Sequence, residues 1–380
     1  MRSFLPKSVA ALLSLTASLA AAQDCPSRVT WPTDRWPVAL VDPVKKAAEL
    51  AALESYLFTL TGKDEDREGL RTDGLVIIKG GAIVYERYAR GFDETKRHLA
   101  WSATKSITSA LVGIAVKDGA LTLDDSICQH LPEFAGTPQC AITVRDTITF
   151  ATGLGWQEEY EDESYQSSSV IAMFFGAGHR DHLRFILGHK QVADAGARWS
   201  YSTGDAQVAA AIAKRALGKR HGPDAFWKLL FDRIGMPRTV FEEDAMGTPL
   251  GGSFVWATPR DLAKFGWLYL NDGCWNGERV LPSGWVAAST RPSDAFVAFA
   301  AKGDKEPSGY MWWLNRPIPE RENPIPWKTS PDDAYGAIGH WGQYIMVVPS
   351  ADVVIVRTGD DRDEYVSEDK LISLSLDVAR

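Results

Sequence analysis

Short runs of β-branched residues lie near both ends of the chain, and their placement constrains the fold most strongly. Residues 74–78 and 82–85 flank Gly80-Gly81, and residues 344–348 and 353–356 flank a turn that begins with proline. Two such runs around a tight turn predict a β-hairpin in each case. Helical spacing of apolar residues dominates the middle of the chain. We therefore predict an α+β fold in which both ends build one antiparallel sheet around a helical insert.

The length of 380 residues exceeds what one ordinary core accommodates, which favours two domains. We predict a discontinuous sheet domain over residues 23–100 and 255–380 and a mainly helical domain over residues 101–254. Residues 1–22 are predicted to form a signal peptide.

The first residues have the pattern of a secretory signal peptide. Arg2 and Lys7 precede an apolar stretch that ends in three alanines, and the stretch is shorter than the roughly 20 residues that span a bilayer. We expect cleavage near Ala22 and export to the periplasm or medium. A buried N-terminal helix is the alternative. No other segment of the sequence is long and apolar enough to cross a membrane.

The four cysteines, Cys25, Cys128, Cys140 and Cys274, all follow the expected cleavage site, and they allow three pairings. We favour Cys128 with Cys140, because a loop with prolines and glycine could bring them together. Cys25 with Cys274 would follow. Free buried thiols are the alternative, and the lack of a Cys-x-x-Cys pair argues against a zinc site.

The charge balance argues against several classes of partner. Lys and Arg total 41 against 49 Asp and Glu, which gives a net charge of −8 without a basic tract. Such a chain is a poor candidate for binding nucleic acid or an anionic membrane. His179 and His182 lack an evident third ligand, so we interpret them as solvated surface histidines and predict no metal or cofactor. The oligomeric state stays open.

The tetrad Ser102-Ala103-Thr104-Lys105 begins a long apolar helical pattern. Residues three apart on a helix share a face, so the hydroxyl and the amine can touch. A helix start offers unpaired N–H groups that can hold an oxyanion, and a lysine with a lowered pKa can accept the serine proton. Taken alone, the tetrad could equally be an N-capping serine and a surface lysine.

Two further blocks accompany the tetrad. Tyr201-Ser202-Thr203 lies about a hundred residues downstream, and Gly339-His340-Trp341-Gly342-Gln343 precedes the strand that begins at Tyr344. In this order the three blocks resemble the serine β-lactamase and penicillin-binding-protein superfamily over about residues 74–380. The resemblance is strongest to its class C-like branch, whose second motif is Tyr-x-Asn. That branch includes β-lactamases, D,D-peptidases, carboxylesterases and 6-aminohexanoate-dimer hydrolases.

The resemblance implies a role for each matching residue. Ser102 becomes the nucleophile, Lys105 its activating partner and Tyr201 the second acid/base group. The backbone N–H groups of Ser102 and Gln343 become the oxyanion hole. The implied fold is β-lactamase/transpeptidase-like, with an antiparallel sheet flanked by helices and an all-helical insert domain. An ordinary core tyrosine is the alternative for Tyr201.

Two departures from the branch affect the expected substrate. Thr203 stands where Asn is usual, and His340 and Trp341 stand where penicillin-recognising members have Lys and Thr or Ser. A mostly neutral imidazole and an indole with one donor weaken the recognition of a carboxylate. Gly342 is expected to let substrate approach the strand edge. The residues expected to contact substrate are Thr203, His340, Trp341, Gly342, Tyr165 and Trp156.

The acidic stretch Glu158–Tyr165 follows a turn that lies near the site in this family. If the stretch borders the pocket, its charge repels carboxylates and attracts amines. A solvated surface loop is the alternative.

Together these observations predict an exported serine hydrolase that cleaves a small amide or ester through an acyl-enzyme on Ser102. The first alternative is a β-lactamase or D,D-peptidase acting on β-lactams or muropeptides. The alternative of another class is a penicillin-binding-like sensor or interaction module without turnover.

Overall fold

The computed structural model of the chain describes residues 25–28, 30–160, 167–301, 306–319 and 324–380. The expected signal peptide over residues 1–22 lies outside the described residues, and so does Tyr165. Within the described ranges, no helix combines the length and apolarity needed to cross a bilayer.

Helices and strands alternate with irregular loops along the chain. The helices are α1 (Ala47–Phe58), α2 (Thr104–Lys117), α3 (Ile127–His130), α4 (Val144–Ile148), α5 (Ser169–Phe175), α6 (His182–Leu187), α7 (Thr203–His221), α8 (Pro259–Leu270), α9 (Trp285–Ser289), α10 (Asp294–Phe299) and α11 (Glu368–Ala379). The strands are β1 (Thr72–Lys79), β2 (Ala82–Tyr88), β3 (His98–Leu99), β4 (Val240–Phe241), β5 (Val255–Ala257), β6 (Cys274–Trp275), β7 (Glu278–Arg279), β8 (Trp313–Leu314), β9 (Tyr335–Gly339), β10 (Gln343–Val348) and β11 (Val353–Gly359).

The main sheet joins strands from both ends of the chain. Its order is β2-β1-β11-β10-β9-β8, and β1 pairs antiparallel with β11, so that Val76 lies opposite Val356. Both predicted hairpins are present as β1–β2 and β10–β11. The prediction of an α+β fold with one sheet built from both ends is therefore confirmed.

Both faces of the sheet are covered. Val76 and Val356 belong to the core that includes residues of α8, whereas Ile77 and Ile355 belong to a second core with residues of α1 and α11. This alternation follows from the two-residue period of a strand. Burial of each such side chain contributes about 1.5–3 kcal/mol, so helices on both faces stabilise the central strands.

The helix α2 is the centre of the helical part. It packs against α7, and residues 104–115 are all buried. Three of its hydroxyl groups are hydrogen-bonded to neighbouring segments: Thr104 Oγ1 accepts from Val255 N–H at 3.1 Å, Ser106 Oγ donates to the Met311 carbonyl at 2.6 Å, and Thr108 Oγ1 donates to the Gly251 carbonyl at 2.8 Å. The core around α2 is continuous with one face of the sheet. The domain boundaries given above stay a prediction.

One sequence-based interpretation is wrong for His182. Its side chain is buried, and its Nδ1 lies 3.0 Å from Gln207 Nε2 of α7. His179 is exposed, as expected. The two residues are three apart, but His182 is the first residue of α6 and points into the core that α6 shares with α7.

The cysteines form the two disulfides favoured from the sequence. Cys128 bonds to Cys140 with a Cα–Cα distance of 5.2 Å, and Cys25 bonds to Cys274 with a Cα–Cα distance of 5.7 Å. The second disulfide attaches the N-terminal segment to β6.

The first disulfide closes a loop with a sequence separation of 12 residues. A closed loop of this size restricts the unfolded chain and contributes roughly 3 kcal/mol. Replacing both Cys128 and Cys140 by alanine is expected to lower the free energy of unfolding by about that amount. Chemical denaturation followed by circular dichroism measures the change, and an unchanged denaturation midpoint would contradict the prediction.

Candidate active site

Ser102 lies in a short 3₁₀ turn, Trp101–Ala103, that runs directly into α2. Trp101 has a φ of 45°, in the left-handed region that non-glycine residues seldom adopt. The turn lies against β9 and the start of β10. The serine therefore lies where the edge of the main sheet meets the central helix.

The Lys105 amine lies beside the serine and is almost completely buried, with 2% of the residue exposed. Its Nζ is 2.9 Å from Ser102 Oγ, 2.9 Å from Thr203 Oγ1 and 2.8 Å from the Gly252 carbonyl oxygen. Burial lowers the pKa of Lys105 to about 8, and the nearby Glu158 charge opposes that shift. A minor fraction of the amine is thus neutral at pH 7 and can accept a proton, and this fraction grows as the pH rises.

Tyr201 packs against the lysine amine and is half-buried. Lys105 Nζ is 4.8 Å from the centre of the Tyr201 ring, which packs against Phe150 and Trp313. Burial and the charge of Glu158 raise the pKa of Tyr201 well above its usual value, while Ser102 opposes the shift. The phenol is therefore protonated at neutral pH and available as a proton donor.

Thr203 occupies a different position from the one expected. The residue is fully buried, and its Oγ1 accepts from Lys105 Nζ and donates to Glu158 Oε1. Its backbone N–H donates to Glu158 Oε2 at 2.8 Å. Thr203 thus lies behind the lysine rather than on the wall of the cleft, which corrects the expectation of a substrate contact.

Glu158 of the acidic stretch is hydrogen-bonded to Thr203, which contacts the Lys105 amine. Its carboxylate accepts from Trp156 Nε1 and the Tyr160 hydroxyl, in addition to the two groups of Thr203. Sequence reasoning treated Glu158 only as part of an acidic segment, because nothing local shows which carboxylate turns inward. Residues 161–166 lie outside the described residues, so their expected effect on substrate stays a prediction.

Gly252 was not identified from the sequence. Its carbonyl accepts from Lys105, and a Cβ on Gly252 would lie 2.5 Å from Thr203 Cγ2. Only glycine allows the loop to approach α7 this closely. The Gly251-Gly252 pair was the available signal, since adjacent glycines often mark a close backbone approach.

A buried ion pair stabilises the turn between β9 and β10, which carries the motif of residues 339–343. The Arg357 and Asp361 side chains are both 0% exposed, and Arg357 Nη1 lies 2.7 Å from Asp361 Oδ2. The same Nη1 donates to the Gly342 carbonyl at 2.8 Å, and Gln343 Nε2 donates to the carbonyls of His340 and Trp341. These bonds fix the backbone at Gln343, whose N–H remains our candidate for the oxyanion hole.

Gly342 is required by this packing. Its φ is 83°, and a Cβ there would lie 2.0 Å from Arg357 Nη1 and 2.5 Å from Asp361 Oδ2. Substrate access was the reason expected from the sequence, but the buried ion pair already excludes any side chain.

Ser102 opens into a cleft made of two adjoining cavities. The cavity at Ser102 has a volume of about 270 Å³ and is lined by Tyr160, His340 and others. A larger neighbour of about 1210 Å³ includes Trp156 in its wall. Both are lined by Tyr201, Glu306 and Trp313. His340 and Trp156 thus line the cleft, and their contact with substrate stays a prediction.

Trp341 lines another cavity, of about 430 Å³, together with Trp101 and Arg67. Its ring packs edge-on against Trp101 at 5.1 Å and lies 3.3 Å from the Arg362 guanidinium carbon. Among the described residues, the wall of the Ser102 cavity does not include Trp341. The expected contact between Trp341 and substrate is therefore not supported by its position.

Glu306 and Glu368, which lie outside the three sequence motifs, line the Ser102 cavity. Burial raises the pKa of Glu306, and burial together with the Glu306 charge raises the pKa of Glu368 to about 7. Isolated acidic residues carry no local signal, so the sequence did not identify them. No group of three His, Cys, Asp or Glu residues within the described ranges is arranged to hold a metal ion.

The fold and the site agree with comparisons to known proteins. The Beta-lactamase family model matches residues 57–376. The chain belongs to the Beta-lactamase family and is a serine hydrolase, which confirms the resemblance identified from the three motifs.

Individual relatives are distant in sequence. A 6-aminohexanoate-dimer hydrolase of Paenarthrobacter ureafaciens is 25% identical over 329 residues, which cover 83% of this chain and 79% of the relative. A Bacillus anthracis protein provisionally assigned as a 6-aminohexanoate-dimer hydrolase superposes with a TM-score of 0.68 at 20% identity, covering 91% of this chain and 86% of the other. A class C beta-lactamase superposes with a TM-score of 0.59 at 15% identity, covering 90% and 98%. These superpositions confirm the expected β-lactamase-like fold.

The lowered pKa of Lys105 predicts how activity depends on pH. If the neutral amine accepts the serine proton, kcat/KM rises with pH and levels off above a pKa of about 8. A pKa of 8 implies a gain of about tenfold between pH 7 and pH 9. Initial rates over this range measure the gain, with Ser102→Ala correcting for hydrolysis by hydroxide. A profile that is flat from pH 6 to pH 9 would contradict the prediction.

Gly342→Ala is expected to destabilise the protein more than Gly91→Ala, although the two glycines have similar φ angles. Gly91 has a φ of 78° and no heavy atom within 4 Å of the point that a Cβ would occupy, so Gly91→Ala incurs only the left-handed strain of about 1–2 kcal/mol. Gly342→Ala adds overlap with Arg357. Thermal unfolding of the two variants compares them, and equal melting temperatures would be incompatible with this packing.

Proposed function

We propose that the chain hydrolyses a small amide or ester through an acyl-enzyme on Ser102. The observation that carries the proposal is the 2.9 Å contact between Ser102 Oγ and a buried Lys105 amine at the wall of an open cleft. The pair provides a nucleophile and a base within hydrogen-bond distance of each other.

In the first half of the reaction, Ser102 Oγ attacks the carbonyl carbon and its proton passes to the neutral Lys105 amine. The backbone N–H groups of Ser102 and Gln343 hold the oxyanion. The Tyr201 phenol then donates a proton to the leaving nitrogen or oxygen, whose bond to the carbonyl carbon breaks. The resulting tyrosinate regains a proton from the Lys105 ammonium.

In the second half, water attacks the acyl carbon and gives its proton to the same Tyr201–Lys105 pair. The bond to Ser102 Oγ breaks, the serine recovers its proton and the acid leaves. These steps use only groups of the chain and need no metal or cofactor.

The substrate that we propose is linear and has no carboxylate near the scissile bond. The carboxyl groups of Glu306 and Glu368 line the Ser102 cavity, and His340 stands there in place of the lysine of penicillin-recognising members. The name of the 25% identical relative, a hydrolase of the 6-aminohexanoate dimer, also supports a linear amide. We further propose export, since two disulfides are compatible with an oxidising compartment.

A panel of p-nitrophenyl esters, linear amide dimers, nitrocefin and D-Ala-D-Ala peptides tests this proposal. The wild type is expected to turn over the esters or amides, and Ser102→Ala is expected to lose at least a thousandfold in kcat. Ser109→Ala removes a buried hydroxyl from α2, the helix that follows Ser102, and should retain activity. Full activity of Ser102→Ala would overturn the mechanism. Nitrocefin as the best substrate would instead favour a β-lactamase, and a lasting acyl adduct without turnover would favour a sensor.

A further inference from the structure

We infer that Glu158 is a positioning residue for the catalytic lysine: through the Thr203 hydroxyl it directs the lone pair of the Lys105 amine at Ser102. The inference rests on the proposed function of Ser102 and Lys105. It assigns a task to a carboxylate that the three sequence motifs do not include.

The Glu158 carboxylate is surrounded by donors. Oε1 accepts from the hydroxyls of Thr203 and Tyr160, and Oε2 accepts from the Thr203 N–H and Trp156 Nε1. The last two groups are donors only, so they require an acceptor at Oε2. Four hydrogen bonds hold the carboxylate in one orientation.

This arrangement fixes the direction of the Thr203 hydroxyl. The hydroxyl has one proton, and that proton is donated to Glu158. The oxygen therefore presents only lone pairs to Lys105 Nζ, 2.9 Å away. Thr203 is fully buried, so no solvent molecule competes for either bond.

The direction of the hydroxyl decides what the lysine can do. A neutral amine has two N–H groups and one lone pair. Thr203 Oγ1 and the Gly252 carbonyl each take one N–H, which leaves the lone pair for the third neighbour, Ser102 Oγ. The amine is then ready to accept the serine proton. If the Thr203 hydroxyl turned toward Lys105, it would occupy that lone pair.

The charge of Glu158 acts on the same groups. Among the residues that the structure describes, the charge of Glu158 also raises the pKa of Tyr160, Tyr201 and Asp205. The chief opposing influence on Lys105 is burial. Removing the charge is therefore expected to lower the pKa of Lys105 and to move the acidic limb of the pH profile to lower pH.

Glu158→Gln separates these two effects from a loss of folding. The amide oxygen would remain at the Oε2 position, and the NH₂ would replace Oε1, where it donates to Thr203 Oγ1. The hydroxyl proton then turns toward Lys105. We expect kcat to fall at least tenfold while the acidic limb shifts to lower pH. A role in folding alone would lower the melting temperature without moving that limb.

Three variants serve as controls. Glu94→Gln makes the same change at an exposed residue that lines neither cavity of the cleft, and it should stay within about twofold of wild type with an unshifted profile. Thr203→Val removes the hydroxyl and should resemble Glu158→Gln in kcat, whereas Thr203→Ser keeps it and should recover most activity. Circular dichroism and melting temperatures confirm that each variant folds.

The second readout does not depend on knowing the substrate. A fluorophosphonate probe reacts with an activated serine: the Ser102 Oγ–P bond forms, the P–F bond breaks, fluoride leaves and the serine proton passes to Lys105. The rate of adduct formation is followed by intact mass between pH 5 and pH 10. We expect slower labelling of Glu158→Gln at high pH and an acidic limb at lower pH than in wild type.

The outcomes distinguish the two proposals. A wild type that is not labelled at Ser102 would overturn the proposed function. Normal labelling of the wild type together with an unchanged rate and unchanged limb in Glu158→Gln would overturn the positioning role alone. A slower but unshifted Glu158→Gln, with Thr203→Val at the wild-type rate, would also overturn it.

Discussion

The burial of the Lys105 amine is the constraint on which the rest of the site depends. An unpaired charge in such a position costs several kcal/mol, so every N–H group of the ammonium needs an acceptor. The three acceptors come from the turn before α2, from the start of α7 and from the loop before β5. Three segments distant in sequence must therefore meet at the Lys105 Nζ atom. The packing of α2 against α7 brings two of them together, and Gly252 lets the third approach closely.

The sheet supplies the turn before β10, and a buried side chain of β11 fixes the backbone of that turn. Arg357 lies in β11, at the centre of the sheet, and bonds to both Asp361 and the carbonyl of Gly342. Replacing one member of such a buried pair costs about 3–5 kcal/mol. The geometry of the turn before β10 thus depends on β11, the next strand of the same hairpin.

Local patterns explain what could be predicted. The two hairpins and the Ser-x-x-Lys pair depend on spacings of a few residues, which a sequence displays directly. Glu158 contacts Thr203 across 45 residues, and Gly252 contacts Lys105 across 147, so neither contact has a local signature. Thr203 was assigned to substrate because a motif gives the position of a residue but not the direction in which it faces.

The last helix, α11, contacts both the second core of the sheet and the cavity at Ser102. Most of α11 packs with α1 on the face of the sheet remote from α2, yet its first residue, Glu368, lines the cavity that holds Ser102. A displacement of the first turn of this helix would thus change the wall of the Ser102 cavity. Anyone who immobilises or fuses the enzyme should therefore attach the carrier away from the carboxyl terminus.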